Sequence, residues 1–196
     1  MEKYLKKIKK EHYGILAFLL AVVAMYVMLS YEQALSTGKY IVTRGDLLHQ
    51  YVPFIKMFIR SILEGESIWN SWEMSLGANT SLCYAYYVLS PFNILYLIFY
   101  YVDEAIITGA VIILKTGFAA FCFQKFLAKS LDCDGIESII FSLFYAMCSF
   151  QVLYNSINIA WMDAMYMLPV ICMFIVRFVR EGRWKGLVAA YAYMFI

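Results

Sequence analysis

Four long apolar runs, Tyr13 to Tyr31, Ala105 to Leu127, Ile136 to Tyr154 and Ile159 to Val179, constrain this chain more than any other feature. A helix needs ~20 residues to cross a bilayer, and only helices and closed barrels satisfy every backbone N–H and C=O there. The runs do not alternate, so they are read as helices. Hydrophobic residues make up 63% of the 196 and charged residues 15%, with a mean hydropathy of +0.68. A water-soluble domain of this size does not stay dissolved with that balance. The expected fold class is therefore all-α, a polytopic transmembrane helical bundle.

Charge placement orients the bundle. Lys3, Lys6, Lys7, Lys9 and Lys10 precede the first run, which is longer than a signal-peptide core and lacks an Ala-x-Ala exit, so it is read as a retained anchor. Tyr84 to Val102 is ambiguous, because Pro91 and Asn93 interrupt it before Asp103 and Glu104. If it crossed, Arg177, Arg180, Arg183 and Lys185 would face the side opposite the N-terminal lysines. The positive-inside rule instead predicts an interfacial or re-entrant segment and a cytoplasmic N-terminus. Two outer regions follow, a long loop from 32 to 104 and a short one from Asn155 to Asp163. A run beginning at Gly186 reaches Phe195-Ile196 without a polar flank and is read as a truncated fifth span of a longer protein.

The long loop carries its own pattern. Leu47, Leu48, Tyr51, Phe54, Ile55, Phe58, Ile59 and Ile62 recur at helical spacing, which predicts an amphipathic juxtamembrane helix over Asp46 to Leu63, closed near Gly65. Asp46 at its start reads equally as a helix cap or as a functional acid. Asp163, at the expected outer mouth of the fourth span, is costly there unless paired, hydrated or functional. Two carboxylates meeting at one interface could bind a divalent metal or share a proton transfer. Lys115, in mid-span, is expected to face the bundle interior and find an acid, a carbonyl or a lipid phosphate.

Other features limit the choices. Cys83, Cys122, Cys133, Cys148 and Cys172 lack CxxC spacing and are read as reduced packing residues. Without a Gly-rich phosphate loop, an HExxH motif or a nucleophile elbow, ATP-driven pumping and serine or zinc hydrolysis have no support. No nucleic-acid partner is expected; the lipid bilayer is.

Six motifs carry a family resemblance: Arg44-Gly45-Asp46, Gln50-Tyr51-x-Pro53-Phe54, Trp69-Asn70, Leu76-Gly77, Leu89-Ser90-Pro91-Phe92-Asn93 and Asn158-x-x-Trp161-x-Asp163. In order and spacing the chain resembles YfhO-type bacterial membrane proteins, which are similar to GT-C glycosyltransferases. The resemblance implies that residues 1–196 are the N-terminal part of one GT-C-like module in a bacterial cell membrane, with its active-site loops extracytoplasmic. It implies transfer of a sugar from a polyprenyl-phosphate carrier to a cell-envelope glycopolymer acceptor such as lipoteichoic acid.

By the same resemblance Asp46 is the expected general base, and Asp163 is expected to help bind the acceptor or a divalent metal. Arg44 would meet the leaving phosphate or Asp46. Gln50, Tyr51, Asn70, Trp161 and Lys115 complete the expected substrate contacts. Trp69 and Trp72 suit either sugar faces or headgroup anchoring. The rival expectations are a transporter or flippase of lipid-linked saccharides and a noncatalytic envelope-assembly scaffold.

Overall fold

The computed structural model describes residues 12–31, 43–74 and 76–194. The N-terminal lysines, the first part of the outer loop and Phe195-Ile196 lie outside the described residues. Four helical stretches are long and apolar enough to cross a membrane: Tyr13–Tyr31, Glu104–Ser130, Ile136–Tyr154 and Ile159–Glu181.

Helix α1 (Tyr13–Tyr31) packs on α5 (Glu104–Ser130), the central helix, which also carries α6 (Ile136–Ala146) and α8 (Met162–Glu181). The α5 start is capped by Asp103, whose side chain accepts the Ala105 N–H at 2.8 Å, and Lys129 lies in its last turn, both favourable to the helix dipole. Small residues let these helices approach: Ala17, Ala21, Ala119, Ala120 and Ala146 are buried along one seam. A Cβ on Gly117 would lie 2.7 to 2.8 Å from Val22 and Phe18. That is how helices associate where lipid removes any hydrophobic drive.

Contacts give the directions. Phe18 and Val22 meet Gly117, and Gly14 meets Lys125, so α1 runs antiparallel to α5. Gln124 bonds Ser138 at 3.2 Å and Gln151 bonds Thr116 at 3.0 Å, so the next span runs back along α5. That span is two pieces rather than one straight helix: α6 ends at Ala146, Cys148 is extended, and α7 (Ser149–Tyr154) completes it. Lys115 meets Asp163, and Phe118 meets Tyr166, so α8 descends parallel to α5. A glycine at φ 65, Gly182, ends α8, and α9 (Lys185–Met194) packs back on it.

The expected outer loop is a packed layer. Its helix begins as a π-helical turn, Leu47–Tyr51, and continues as α2 (Val52–Glu64), ending at Gly65 with φ 72. Leu47, Tyr51, Ile55 and Ile59 of the predicted face are buried, joined by Val52 and Met57, in one cluster with Ile107, Val111 and Ile112 of α5 and with Ile159, whereas Ile62 is exposed. Lys56 pairs with Glu104 and Arg60 with Glu73, which tie α2 to the head of α5 and to a short antiparallel ladder. That ladder, β1 (Asn70–Ser71) with β2 (Ala78–Asn79), is the one departure from an all-helical fold among the described residues.

The ambiguous segment is sharply bent. Helices α3 (Ser81–Tyr87) and α4 (Ile94–Ile98) flank a 3-10 turn, Pro91–Asn93, and the two arms meet at 95°. Ser90 is extended, as a residue before proline prefers. The buried Asn93 amide donates to the Tyr87 and Val88 carbonyls at 3.3 and 2.9 Å, which the bend strips of helical partners.

Candidate functional site

The two regions expected to face outward meet. The Arg44 N–H donates to the Ser156 carbonyl at 2.7 Å, and a Cβ on Gly45 would lie 3.6 Å from Ile157. Gly45 has φ +50, a left-handed turn that glycine adopts without strain. This turn presents Asp46 at the surface beside the second outer loop.

Asp46 does not act as a cap. Its side chain accepts no backbone N–H; it accepts the Gln50 Nε2 at 3.2 Å instead. The Gln50 Oε1 in turn accepts the Tyr87 hydroxyl at 2.5 Å, so both ends of the amide have defined partners and its orientation follows from them. The carboxylate is exposed and retains acceptor capacity for an incoming hydroxyl. The Arg44 side chain is also exposed. Among the described residues it pairs with no carboxylate, Asp46 included.

Tyrosines link this cluster to the fourth span. The Tyr51 hydroxyl donates to Tyr86 at 3.4 Å, and the Trp161 Nε1 donates to the same Tyr86 oxygen at 3.2 Å. Tyr51 and Tyr86 each pack edge-on against Tyr87, while Trp161 lies on Tyr154. Burial pushes the Tyr51 phenol well above the ordinary tyrosine range, and the Tyr86 bond and the Asp46 charge push the same way. Tyr51 therefore stays protonated and remains a donor. Tyr86 and Tyr87 escape the sequence analysis, because tyrosines inside an apolar run read as part of the run. Their close spacing beside the Ser90-Pro91 break was the available signal.

Asp163 lies in the first turn of α8. It pairs with Lys115 at 2.7 Å, and that lysine is fully buried about three turns, or ~16 Å of rise, below the head of α5. Lys115 also donates to the Ile159 carbonyl at 2.8 Å and lies 5.7 Å from the centre of the Phe92 ring. The Asp163 side chain is 19% exposed. The pair thus clamps α5 to the turn, Ile159–Trp161, that starts α8. This matches what an intramembrane lysine needs, an acid and a carbonyl. Asp163 stands in the first turn of its span, where chain order puts it, and its partner reaches it from the middle of α5.

The expected residues therefore fall into three places. Arg44, Asp46, Gln50 and Trp161 share one cluster with the buried Tyr51 beneath them, Lys115 and Asp163 form a pair at the start of α8, and Asn70 stands apart in the ladder, paired with Asn79. A divalent metal shared by Asp46 and Asp163 does not fit this donor set. The Lys115 ammonium already neutralises Asp163, and no group of three or more His, Cys, Asp or Glu that could hold a metal occurs among the described residues.

Comparison with known proteins adds one finding. No curated protein and no solved structure matches the chain. The sequence family described as bacterial membrane protein YfhO matches residues 17–196, nearly the whole chain and every motif quoted above. The chain thus belongs to the YfhO family of bacterial multi-pass membrane proteins.

Proposed function

We propose that this protein is a membrane glycosyltransferase that moves a sugar from a polyprenyl-phosphate carrier to a cell-envelope glycopolymer on the outer face. The single observation that carries this reading is Asp46, an exposed carboxylate whose hydrogen-bonding partner Gln50 is itself anchored by Tyr87. Such a group is oriented and accessible, the two properties a general base needs.

In the proposed step Asp46 takes the proton of the acceptor hydroxyl as its oxygen attacks the anomeric carbon. The bond from that carbon to the carrier phosphate breaks, and polyprenyl phosphate leaves with the electron pair. Arg44, two residues from the base, meets the phosphate charge. Gln50 and Trp161 contact the sugar, the buried Tyr51 holds Tyr86 from beneath, and Asn70 at the ladder completes the acceptor side. Lys115 and Asp163 hold the Trp161 turn in place beneath the acceptor, and no step passes through a metal.

The test is Asp46→Asn in the full-length protein, assayed with polyprenyl-phosphate sugars. Transfer is expected to fall ~10²- to 10⁴-fold, the usual share of a general base, while insertion and folding persist. Full transfer by Asp46→Asn refutes the assignment.

A second reading, a transporter of lipid-linked saccharides, draws on the 95° break between α3 and α4, since broken helices mark transporter binding sites. It predicts that Asp163→Asn stops movement of substrate across the membrane and that Asp46→Asn leaves it intact.

A further inference from the structure

The end of the bundle remote from Asp46 carries a second built feature. α8 extends 20 residues from the Asp163 level, ~30 Å of helix, so its last turn lies at the opposite membrane face. There α8 and α9 enclose a cleft of about 390 Å³ lined by Phe174, Arg177, Arg183, Trp184 and Lys185, with Gly182 and Gly186 at the turn.

Its shape and charge are set by the sequence of the turn. A Cβ on Gly186 would collide with the Phe174 ring, so glycine is what lets α9 close onto α8. Three cations line the cleft, and one acid, Glu181, touches one of them, Arg183, at 3.2 Å. The remaining positive charge is uncompensated within the lining. Trp184 is 57% exposed and is of the type that sits at headgroup level. The cleft therefore presents an apolar floor, an indole at the interface and a cationic rim, the combination that suits a lipid with a phosphate headgroup.

We propose that this cleft binds the phosphate headgroup of an anionic phospholipid in the leaflet opposite Asp46. Arg177, Arg183 and Lys185 hold the phosphate, and the first acyl segments lie against Phe174 and Trp184. The site is independent of sugar transfer.

The experiment uses purified protein in neutral detergent, titrated with phosphatidylglycerol, phosphatidylcholine or inorganic phosphate. The readouts are the thermal midpoint and the lipid adducts counted by native mass spectrometry. Phosphatidylglycerol is expected to raise the midpoint and leave one retained adduct, whereas phosphatidylcholine and inorganic phosphate do neither. Each of Arg177→Gln, Arg183→Gln and Lys185→Gln is expected to weaken phosphatidylglycerol binding about fivefold, the equivalent of about 1 kcal/mol per cation near an anionic leaflet. Arg183, 77% exposed, gives a variant whose folding is not in question, and the exposed Lys129→Gln on α5 serves as the charge-matched control. Unchanged binding in Arg183→Gln, an equal loss in Lys129→Gln, or the same stabilisation from inorganic phosphate alone overturns the proposal.

Discussion

Asp46 and Asp163 belong to the same set of family motifs, yet the fold treats them oppositely. Asp46 is exposed and, among the described residues, is paired with no cation and held by the Gln50 amide. Asp163 is recessed, and its partner Lys115 is fully buried. The difference teaches that a carboxylate in a membrane protein is kept for its reactivity where water can reach it and for its partner where water cannot. One carboxylate keeps acceptor capacity at the surface; the other completes an interior contact.

The contrast breaks most sharply at Lys115. Lys115→Met should destabilise the protein by about 3–5 kcal/mol, because it strands the Asp163 charge in the bundle. Thermal unfolding in detergent measures it, and Lys115→Met combined with Asp163→Leu should recover most of the loss. A single variant as stable as the parent would show that the pair is not the clamp described.

Tyr87→Phe probes the link between the two regions. Losing the hydroxyl that holds Gln50 should cost about 1 kcal/mol of stability, and it should also lower transfer by freeing the amide that orients Asp46. A Gln50→Ala, Tyr87→Phe double-mutant cycle separates that coupling from general loosening.

The smallest expected effect is the stability change of Asp46→Asn, within about 0.5 kcal/mol, as for a surface substitution away from packing. A large loss would mean that Asp46 is structural, and the comparison would collapse.

Much of this architecture is legible in the sequence because period and length are local properties. The four spans, the buried face of α2 and its stop at Gly65 all follow from spacing and one glycine. The surface cluster is partly legible, since Asp46, Gln50 and Tyr51 lie within two turns of one helix. That Lys115 turns inward to an acid and a carbonyl is legible too, but that these are Asp163 and Ile159 is not, because it depends on which helices pack together. Asp163 reads as the acid that opens its span, but its pairing with a mid-span lysine depends on how α8 lies beside α5. The break after Ala146 is likewise invisible, as the run stays apolar across Cys148. Tyr86 is hidden for a different reason: its partners, Tyr51 and Trp161, come from two other segments.

The Asn93 amide, which takes two carbonyls at the bend of α3 and α4, carries a consequence for how this segment meets lipid. A bend whose freed acceptors were capped by water could exist only where water is, so its position would be tied to the headgroup zone. Capped by a side chain instead, the bend carries its own solvation with it. The two freed carbonyls are thus satisfied from within the protein, and the segment is held by the packing of α2 and α5 around it.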